Sequence, residues 1–386
     1  MSNRIIYIAG AGIAGLTLAL ALARFGASVI VLERSASSSE FGAGLQISPN
    51  ARRILDRLGL SEMLTAVSLE PVGIDLYPSG RPKPLSTLAL GALMMERFGA
   101  PYAVMHRADL ADCLLSATRR FANIQILFGI GDWTAVPTDE GAMVSYDEAG
   151  QFRSGRAFAF VGADGVHSRT RTQLLGGPAA SDFGRSAWRA LLPFNAVPTG
   201  IALDKVSVFF APRFHVVCYP LPHRSQLNVA LFAAAKDGTP FTPERQANPL
   251  SAILKAVDRL WTQWPLYTVE TGNWHRGPIG LIGDAAHAML PFQAQGAAMG
   301  IEDAAVLAPL LISEQSADIA FTRYEMLRQE RINRVAKVSR SNGNVFHLSW
   351  PISLARDLVI RAQGDTAQLH RLAWLYGYDP EQPAAI

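Results

Sequence analysis

The pattern of apolar and polar positions changes its period along the chain and divides it into segments of different secondary structure. The chain opens with the apolar run IIYIA, the turn GAGIAG, and an Ala- and Leu-rich stretch that ends near Gly26. A second apolar run, SVIVLE, follows. A short apolar run favours a strand, and a longer Ala/Leu run closed by glycine favours a helix. The opening therefore predicts a strand–helix–strand unit.

Three further segments continue this theme of strands and helices. FGAGLQISPNARRILDRLGL predicts a glycine loop and then a helix, which Ser48 or Asn50 could cap. Residues 153–171, RSGRAFAFVGADGVHSRTR, predict a strand, a turn and a helix. After residue 279 the glycine-rich helical pattern returns, and the chain continues in long helices such as FTRYEMLRQERINRVAKVSR.

Between about residues 181 and 275 the pattern changes to short alternating runs. Examples are VSVFF, HVVCY and LNVALFAA, which Pro and polar turns separate. Alternation with period two is typical of antiparallel strands with one buried face. The chain thus predicts a sheet-rich region inserted between two pieces of a nucleotide-binding domain.

Residues 5–23 carry no charge and have nearly the length, ~20 residues, that a membrane helix needs. Gly10, Gly12 and Gly15 interrupt this run at fixed spacing, and no basic segment or cleavage site precedes it. A strand, a tight turn and a buried helix explain the run better. We therefore predict no membrane span.

Size and composition narrow the class of protein. The 386 residues suggest two or more domains, and 49% apolar with 17% charged residues is typical of a globular chain. The net charge of +3 suits small anions and gives no argument for nucleic acid. Cys113 and Cys218 are too few and too far apart for a disulfide framework or a CxxC pair, so a reducing, cytoplasmic setting is the default.

The first glycine motif has the features of a dinucleotide site. Gly10 allows a tight turn, Gly12 lets the backbone approach a pyrophosphate, and Gly15 lets helix and strand pack closely. The following helix N-terminus favours the phosphate charge, and Glu33, at the end of the second strand, can accept both ribose hydroxyls. A carboxylate there disfavours a 2′-phosphate. The motif alone leaves NAD and FAD both open.

In two later turns an aspartate is found next to a glycine. One contains Asp164, in GADGVHSRTR, and the other contains Asp284, in GLIGDAAHAMLPFQAQGAAMGIEDA. Small residues after Asp284 suggest that a large flat object approaches the backbone there. Taken singly, a strand that ends in Asp-Gly is more often a turn than a site, and the run after Asp284 could be a Gly/Ala-rich helix-packing face.

In this order the three motifs resemble those of the class A flavoprotein monooxygenases, the single-component aromatic hydroxylases. FGAGLQISPNA, HRADL, WRALLP and AQGAAMGIEDA are similar to the branch of salicylate, 3-hydroxybenzoate and 6-hydroxynicotinate hydroxylases. The resemblance implies an α/β fold: a Rossmann-like FAD-binding domain (p-hydroxybenzoate hydroxylase-like) with an inserted β-sheet substrate domain and C-terminal helices. The implied boundaries are 1–71, 98–180 and 275–315 for the FAD-binding domain, 72–97 and 181–274 for the substrate domain, and 316–386 for the helical region.

The resemblance also assigns roles on the cofactor side. Asp284 would bind the ribityl or pyrophosphate part of FAD, and Pro291 would lie beside the flavin ring. Arg107 would reach the FAD chain, and Asp164 would serve the FAD and nicotinamide region, partly by ordering its own loop. The implied cofactor-binding residues are Gly10, Gly12, Ile13, Ala14, Gly15, Glu33, Arg34, Arg107, Asp164, Gly283, Asp284, Pro291, Gly296, Ala297 and Ala298.

On the substrate side, period two places His215, Val217 and Tyr219 on one face of a strand, and Val216 and Cys218 on the other. The pattern alone leaves two interpretations open, a pocket or a buried His and Tyr satisfied by backbone. The resemblance implies a catalytic role for His215 and Tyr219. Loss of a phenol proton raises ring nucleophilicity, and histidine has the side-chain pKa nearest neutrality.

Three weaker substrate candidates are Gln46, Phe292 and Gln293. The sequence PFQAQ suggests a partly apolar pocket rather than a strong carboxylate clamp. The chain has no second GxGxxG motif, and its histidines show no metal-ligand spacing, so we predict no metal.

The resemblance implies a monooxygenase that uses FAD, O₂ and NADH or NADPH. It would hydroxylate a small phenolic or N-heteroaromatic molecule through a C4a-hydroperoxyflavin, as a monomer or homodimer. Two alternatives stay open. One is a flavin monooxygenase of a larger polycyclic or antibiotic-like molecule, and the other is an FAD-binding protein without turnover.

Overall fold

The computed structural model describes residues 4–37, 44–234 and 247–381. Part of the predicted glycine loop, residues 41–43, lies outside these ranges. The strands are β1 Ile5–Ala9, β2 Ser28–Glu33, β3 Gly44–Ile47, β4 Gly73–Tyr77, β5 Ser86–Ala89, β6 Ala103–His106, β7 Ile124–Phe128, β8 Trp133–Thr138, β9 Gly141–Glu148, β10 Gln151–Ala157, β11 Ala159–Gly162, β12 Ser181–Pro193, β13 Val206–Ala211, β14 Phe214–Leu221, β15 Gln226–Ala234, β16 Thr262–Thr268, β17 His275–Arg276 and β18 Ile279–Leu281. The helices are α1 Ile13–Arg24, α2 Pro49–Arg57, α3 Ser61–Val67, α4 Ala92–Phe98, α5 Arg107–Thr118, α6 Leu250–Ala256, α7 Asp284–His287, α8 Gly296–Ser313, α9 Ala317–Phe346 and α10 Ile352–Tyr376.

Two large sheets organise the molecule. The first has six strands in the order β17-β18-β11-β1-β2-β7, parallel except for β17. The second has seven strands in the order β16-β12-β15-β14-β13-β4-β5, antiparallel except between β13 and β4. Parallel strands joined by helices and buried on both faces explain the continuous apolar runs of β1 and β2. The predicted fold class, an α/β nucleotide-binding core with an additional sheet and C-terminal helices, is confirmed.

The charge-free N-terminal run forms β1, a turn and α1, as predicted. Helix α1 is apolar on all sides because it lies inside the fold, against α8 and α5. In the described part of the chain, α8 is the one helix with the length and hydropathy to cross a membrane, and 67% of it is buried. It carries Glu302 and Asp303, both fully buried in ion pairs, so it is a core helix of this fold.

Three local predictions differ from the structure. The predicted helix after the second motif is a single π-helical turn, Thr170–Leu174, because Arg171 is buried and donates to three backbone carbonyl groups around it. Ser48 occupies the N-cap position of α2 but does not cap it, because its hydroxyl group donates to Asn50 Oδ1 at 2.6 Å. Within the predicted antiparallel region, α6 covers the outer face of the seven-stranded sheet.

Candidate active site

A cavity of about 940 Å³ lies between the two large sheets. One wall is made by the loops that follow β1, β2, β11 and β18, at the carboxyl edge of the parallel sheet. Ligands of open α/β sheets bind at this edge. The opposite wall is one face of the seven-stranded sheet, closed by side chains of α9 and α10.

Close backbone packing requires glycine in the turn after β1. Gly10 has a φ of +103°, and a Cβ atom on it would lie 2.6 Å from the Ala163 carbonyl oxygen. The Glu33 carboxylate accepts hydrogen bonds from the Ala11 amide (2.8 Å) and the Ser35 amide (2.8 Å), one on each oxygen. Each oxygen can accept a further hydrogen bond, and Glu33 lines the cavity. The turn thus offers backbone amides and a fixed acceptor at one end of the cavity.

The third motif lies directly against this turn. Gly283 has a φ of +60°, and Cβ atoms on Gly283 and Gly300 would lie 3.1 Å and 3.0 Å from Ala14 Cβ. Asp284 begins α7 and lines the cavity. A Cβ atom on Gly296, at the start of α8, would meet nothing closer than Asp284 Oδ1 at 4.0 Å. This glycine therefore leaves open space where the backbone faces the cavity.

Asp164 orders its own loop. Its carboxylate accepts from the Ser168 hydroxyl (2.6 Å), the Thr170 amide (2.9 Å) and the Thr170 hydroxyl (3.1 Å). These three bonds hold the turn after β11 against the cavity, which Asp164 also lines.

A buried ionic network anchors α8 behind the glycine wall. Arg328 of α9 donates to Glu302 at 2.6 Å and to Asp303 at 2.8 Å, and all three side chains are fully buried. Asp303 also bonds His287 at 2.6 Å and the Gly283 amide at 2.9 Å. Burial alone would raise the pKa of Asp303, but His287 and Arg328 outweigh burial and hold that pKa at about 2. The network fixes the backbone on both sides of the third motif.

The sheet wall follows the alternation of β14. His215, Val217 and Tyr219 face the cavity, whereas Val216 and Cys218 pack on the other face, toward α6. The His215 ring stacks on Phe232, with ring centroids 4.7 Å apart. The period of the strand therefore separates cavity residues from core residues.

His215 has a partner that the sequence did not reveal. Its Nδ1 atom lies 2.8 Å from Nε2 of His347, which follows α9 directly, and His347 Nδ1 bonds Arg185 of β12. Burial, His347 and Arg185 together hold the pKa of His215 well below its usual 6.5. His215 is therefore neutral near pH 7.

Tyr219 belongs to a second polar group at the other end of β14. It hydrogen-bonds Gln46, which also accepts from the Tyr102 hydroxyl group. A Cβ atom on Gly44 would lie 2.7 Å from Tyr219 Oη, so the β3 backbone fixes this ring. Burial raises the pKa of Tyr219, so the hydroxyl group stays protonated and can donate.

Arg189 of β12 lines the cavity beside Tyr219 and is partly exposed. Its Nε atom has no hydrogen-bond partner among the described residues. Burial lowers the pKa of this guanidinium, while Tyr219 raises it. The Nε atom is itself shielded, whereas the rest of the side chain is partly exposed at the cavity wall. Arg189 is thus positioned to receive an anionic group.

Most residues predicted for the site line this cavity. Phe292 packs edge-on against His215, and Gln293 is held by the Asn342 amide. Gly15 and Ala298 are not on the wall: Gly15 packs between Gly10 and Ala163, and Ala298 is fully buried. The predicted site residues that do line the cavity are Gly10, Gly12, Ile13, Ala14, Glu33, Arg34, Gln46, Arg107, Asp164, His215, Tyr219, Gly283, Asp284, Pro291, Phe292, Gln293, Gly296 and Ala297.

Comparison with known proteins decides the family. A family model described as FAD binding domain matches residues 4–340. The 3-hydroxybenzoate 6-hydroxylase of Polaromonas naphthalenivorans is 30% identical over 387 residues, which cover 97% of this chain and 96% of that protein. The chain belongs to the family of FAD-dependent aromatic hydroxylases. The predicted resemblance is confirmed.

Two further comparisons agree with this family. The 3-amino-4-hydroxybenzoate 2-monooxygenase of Streptomyces platensis is 33% identical over 393 residues, covering 97% of this chain and 96% of that protein. The structure of Klebsiella pneumoniae HpxO complexed with FAD and uric acid superposes with a TM-score of 0.83, at 22% identity and 97% coverage of each chain. The likeness to HpxO supports the assignment of the fold.

The cofactor of this flavoprotein is FAD, and the glycine wall fits it. The cradle at Gly10, Gly283 and Gly300 has no room for side chains, as a closely held dinucleotide requires. Glu33 supplies a fixed acceptor where a ribose would lie. In the described residues no group of three or more His, Cys, Asp or Glu side chains could hold a metal ion.

Replacing Glu33 with alanine is expected to weaken FAD retention by about 1–3 kcal/mol, because charge-assisted hydrogen bonds are lost. FAD release during equilibrium dialysis of the purified protein measures this. Glu140→Ala, an exposed carboxylate at the β8–β9 turn, is the control. Equal FAD affinity in the two variants would contradict the assignment of Glu33, and bound FMN in the purified protein would contradict the whole dinucleotide site.

Proposed function

We propose that this chain is a monooxygenase that uses FAD, NADH or NADPH, and O₂ to hydroxylate a phenolic or N-heteroaromatic ring that carries a carboxylate. The observation that carries the proposal is the composition of the cavity. A glycine wall suited to a flavin dinucleotide faces a sheet wall on which an imidazole, a tyrosine and a partly exposed arginine converge. Such convergence of polar groups in an otherwise apolar cavity is typical of a site that orients a small ligand.

On the cofactor side, Gly12 and its neighbours would approach the pyrophosphate, Glu33 the ribose, and Asp284 and Arg107 the chain between ribose and flavin. Pro291 and the backbone from Gly296 to Ala297 would lie at the ring. When bound, FAD supplies reducing equivalents from NAD(P)H and activates O₂. The N-terminus of α8 points its amides at this region and favours negative charge there.

On the substrate side, Arg189 would bind the carboxylate, since its partly exposed cationic side chain lines the cavity. Tyr219, held by Gln46 and Gly44, would orient the ring through its protonated hydroxyl group. His215 would meet the phenolic oxygen with Nε2, because Nδ1 is engaged by His347. The apolar residues Phe232 and Phe292 would exclude water from the ring.

The sequence predicts a partly apolar pocket rather than a strong carboxylate clamp, and this proposal adds one cation, Arg189, to that pocket. Phe292 and Gln293 do make the α9 side of the cavity apolar and neutral. The cation would come from β12.

We further propose that the partners are the small aromatic substrate and O₂, with no nucleic acid and no membrane span. The chain would act as a monomer or homodimer in the cytoplasm. The net charge of +3 and two buried free cysteines are compatible with this setting.

A substrate panel tests the proposal. Hydroxylated benzoates, hydroxypyridine carboxylates, their decarboxylated analogues, indoles and a large polycyclic phenol are assayed for NADH and NADPH consumption and for product mass. We expect oxygenated product from a carboxylated phenol or pyridine, and weaker binding of the analogue without the carboxylate. Retained FAD without substrate-stimulated NAD(P)H oxidation would point to an FAD-binding protein without turnover, and product only from a large polycyclic compound would overturn the substrate class.

Gly296→Val is expected to retain part of the FAD binding and to slow NAD(P)H-driven bleaching of the flavin colour. The reason is that a branched side chain would fill the open space in front of the α8 amides. Stopped-flow absorbance of the FAD-loaded variant measures this. The control is Gly272→Val, in a loop where a Cβ atom meets nothing within 4 Å and which does not line the cavity. A wild-type bleaching rate in Gly296→Val would mean that this glycine only serves helix packing.

A further inference from the structure

Three side chains form a hydrogen-bonded row that leads from the partly exposed Arg185 of β12 into the cavity. Arg185 Nη1 bonds His347 Nδ1, and His347 Nε2 lies 2.8 Å from His215 Nδ1. Arg185 and His347 are half-buried, and His215 is 1% exposed. His215 then lines the cavity itself.

The chemistry of the outermost member fixes the direction of every bond in the row. A guanidinium group donates and never accepts, so His347 Nδ1 must be the acceptor. A neutral imidazole that accepts at one nitrogen carries its proton on the other, so His347 donates from Nε2 to His215 Nδ1. His215 therefore carries its own proton on Nε2, the nitrogen left for the cavity. Both hydrogen bonds of the row, and the free Nε2–H of His215, therefore point inward.

We propose that Arg185 and His347 are positioning residues that fix His215 as an Nε2–H donor toward the phenolic oxygen of the substrate. His215 then stabilises the bound phenolate through a hydrogen bond. It does not abstract the proton from the phenol. This inference rests on the proposed function and specifies the role of His215 in it.

The alternative, His215 as a proton acceptor at Nε2, breaks the row. It requires a proton on His215 Nδ1, which would oppose the Nε2–H of His347. Turning His347 to its other tautomer would place an N–H against the Arg185 guanidinium. Either change loses a hydrogen bond, and Arg185 cannot accept a proton in turn. The phenolic proton is therefore released to solvent as the substrate binds, and the bound phenolate keeps its negative charge beside the Nε2–H.

The surroundings keep both imidazoles neutral. The rings around His215 are Phe232 of β15, Phe292 and Phe346. In the described part of the chain, the charged or titratable groups that bear on the pair are Arg185 and the two imidazoles themselves. Burial and then Arg185 lower the pKa of His347 to about 4. At neutral pH each ring therefore has one proton, and its position is set by the row.

The tautomers can be observed directly. The FAD-loaded full-length protein is labelled with ¹⁵N-histidine, and long-range ¹H–¹⁵N spectra are recorded at pH 7.5. We expect the Nε2–H tautomer for both His215 and His347. Two substitutions at one position form a matched pair: His347→Gln can still accept from Arg185 and donate to His215, whereas His347→Phe can do neither.

His215 should keep its Nε2–H tautomer in His347→Gln and populate both tautomers in His347→Phe. Arg185→Met, which leaves His347 in place, should also let His215 populate both tautomers. This variant tests the same inference if His347→Phe does not fold. His223→Gln, in an exposed turn, is the control. A wild-type His215 protonated on Nδ1, or an unchanged tautomer in both His347→Phe and Arg185→Met, would overturn the inference.

A probe ligand, 3-hydroxybenzoate, adds a second measurement. Its phenolate band in ultraviolet difference spectra gives the ionisation midpoint of the bound phenol. We expect a midpoint below that of the free probe, and a rise of about one pH unit, a tenfold change, in His347→Phe but not in His347→Gln. Absence of NAD(P)H-dependent hydroxylation across the whole panel, with the Nε2–H tautomer present, would reject the proposed function and leave the tautomer assignment standing.

Discussion

Arg328→Met is expected to lower the free energy of unfolding by about 3–5 kcal/mol, because it leaves two buried carboxylates without their shared cation. Glu302 and Asp303 are fully buried, and Arg328 bonds both. Methionine fills much of the same volume, so the loss reports charge rather than a cavity. Urea unfolding of the FAD-free protein measures the change.

The control for this prediction is Arg323→Met on the same helix. Arg323 pairs with Glu314 at the surface, where an ion pair contributes about 0–1 kcal/mol. We also expect Arg328→Met to retain less FAD, because Asp303 holds the Gly283 amide next to the glycine turn. If both variants unfold at the same urea concentration as the wild type, the buried network does not stabilise the fold.

His215→Ala is expected to keep FAD and NAD(P)H oxidation but to lower hydroxylated product by about 10²–10³-fold, the cost of removing one donor to a developing or bound oxyanion. More of the reducing equivalents should appear as hydrogen peroxide. Product and peroxide are quantified together against NAD(P)H consumed, on a substrate found in the panel.

Product formation by His215→Ala is expected to depend on pH in one direction. Without the Nε2–H donor, the phenol ionises nearer to its solution pKa, so raising the pH should partly restore product formation in His215→Ala. Tyr219→Phe should mainly weaken binding, with a smaller change in the pH profile. Val216→Ala, on the opposite face of β14, should affect stability more than coupling. Full coupling in His215→Ala would make this histidine a core residue only.

The cofactor half of the site was predictable because its information is local in sequence. The turn after β1 is one contiguous run, and the strand, glycines and helix that it needs follow each other directly. The face of β14 was predictable from period two alone. The signal for α6 was also present, since Leu250, Ile253, Leu254 and Val257 have helical spacing and cover the sheet.

The rest of the site depends on contacts between distant segments. His347 lies 132 residues from His215, and Arg185 lies 162 residues from His347. No local pattern marks such a row, because each member looks like an ordinary polar residue near the end or edge of an element. Arg189 did carry a signal, a cation within the otherwise apolar WRALLP strand, but only its place on the cavity wall indicates a ligand.

The cavity is closed by segments that follow the matched family region. Residues 4–340 contain the glycine turns and their acids, whereas Phe346, His347, Leu372 and Tyr376 lie beyond them. Changes in this C-terminal part can alter the shape and polarity of the substrate pocket without touching the dinucleotide cradle. Substitutions at residues 342–376, natural or from a directed library, can therefore change which aromatic substrates the pocket accepts while FAD stays bound.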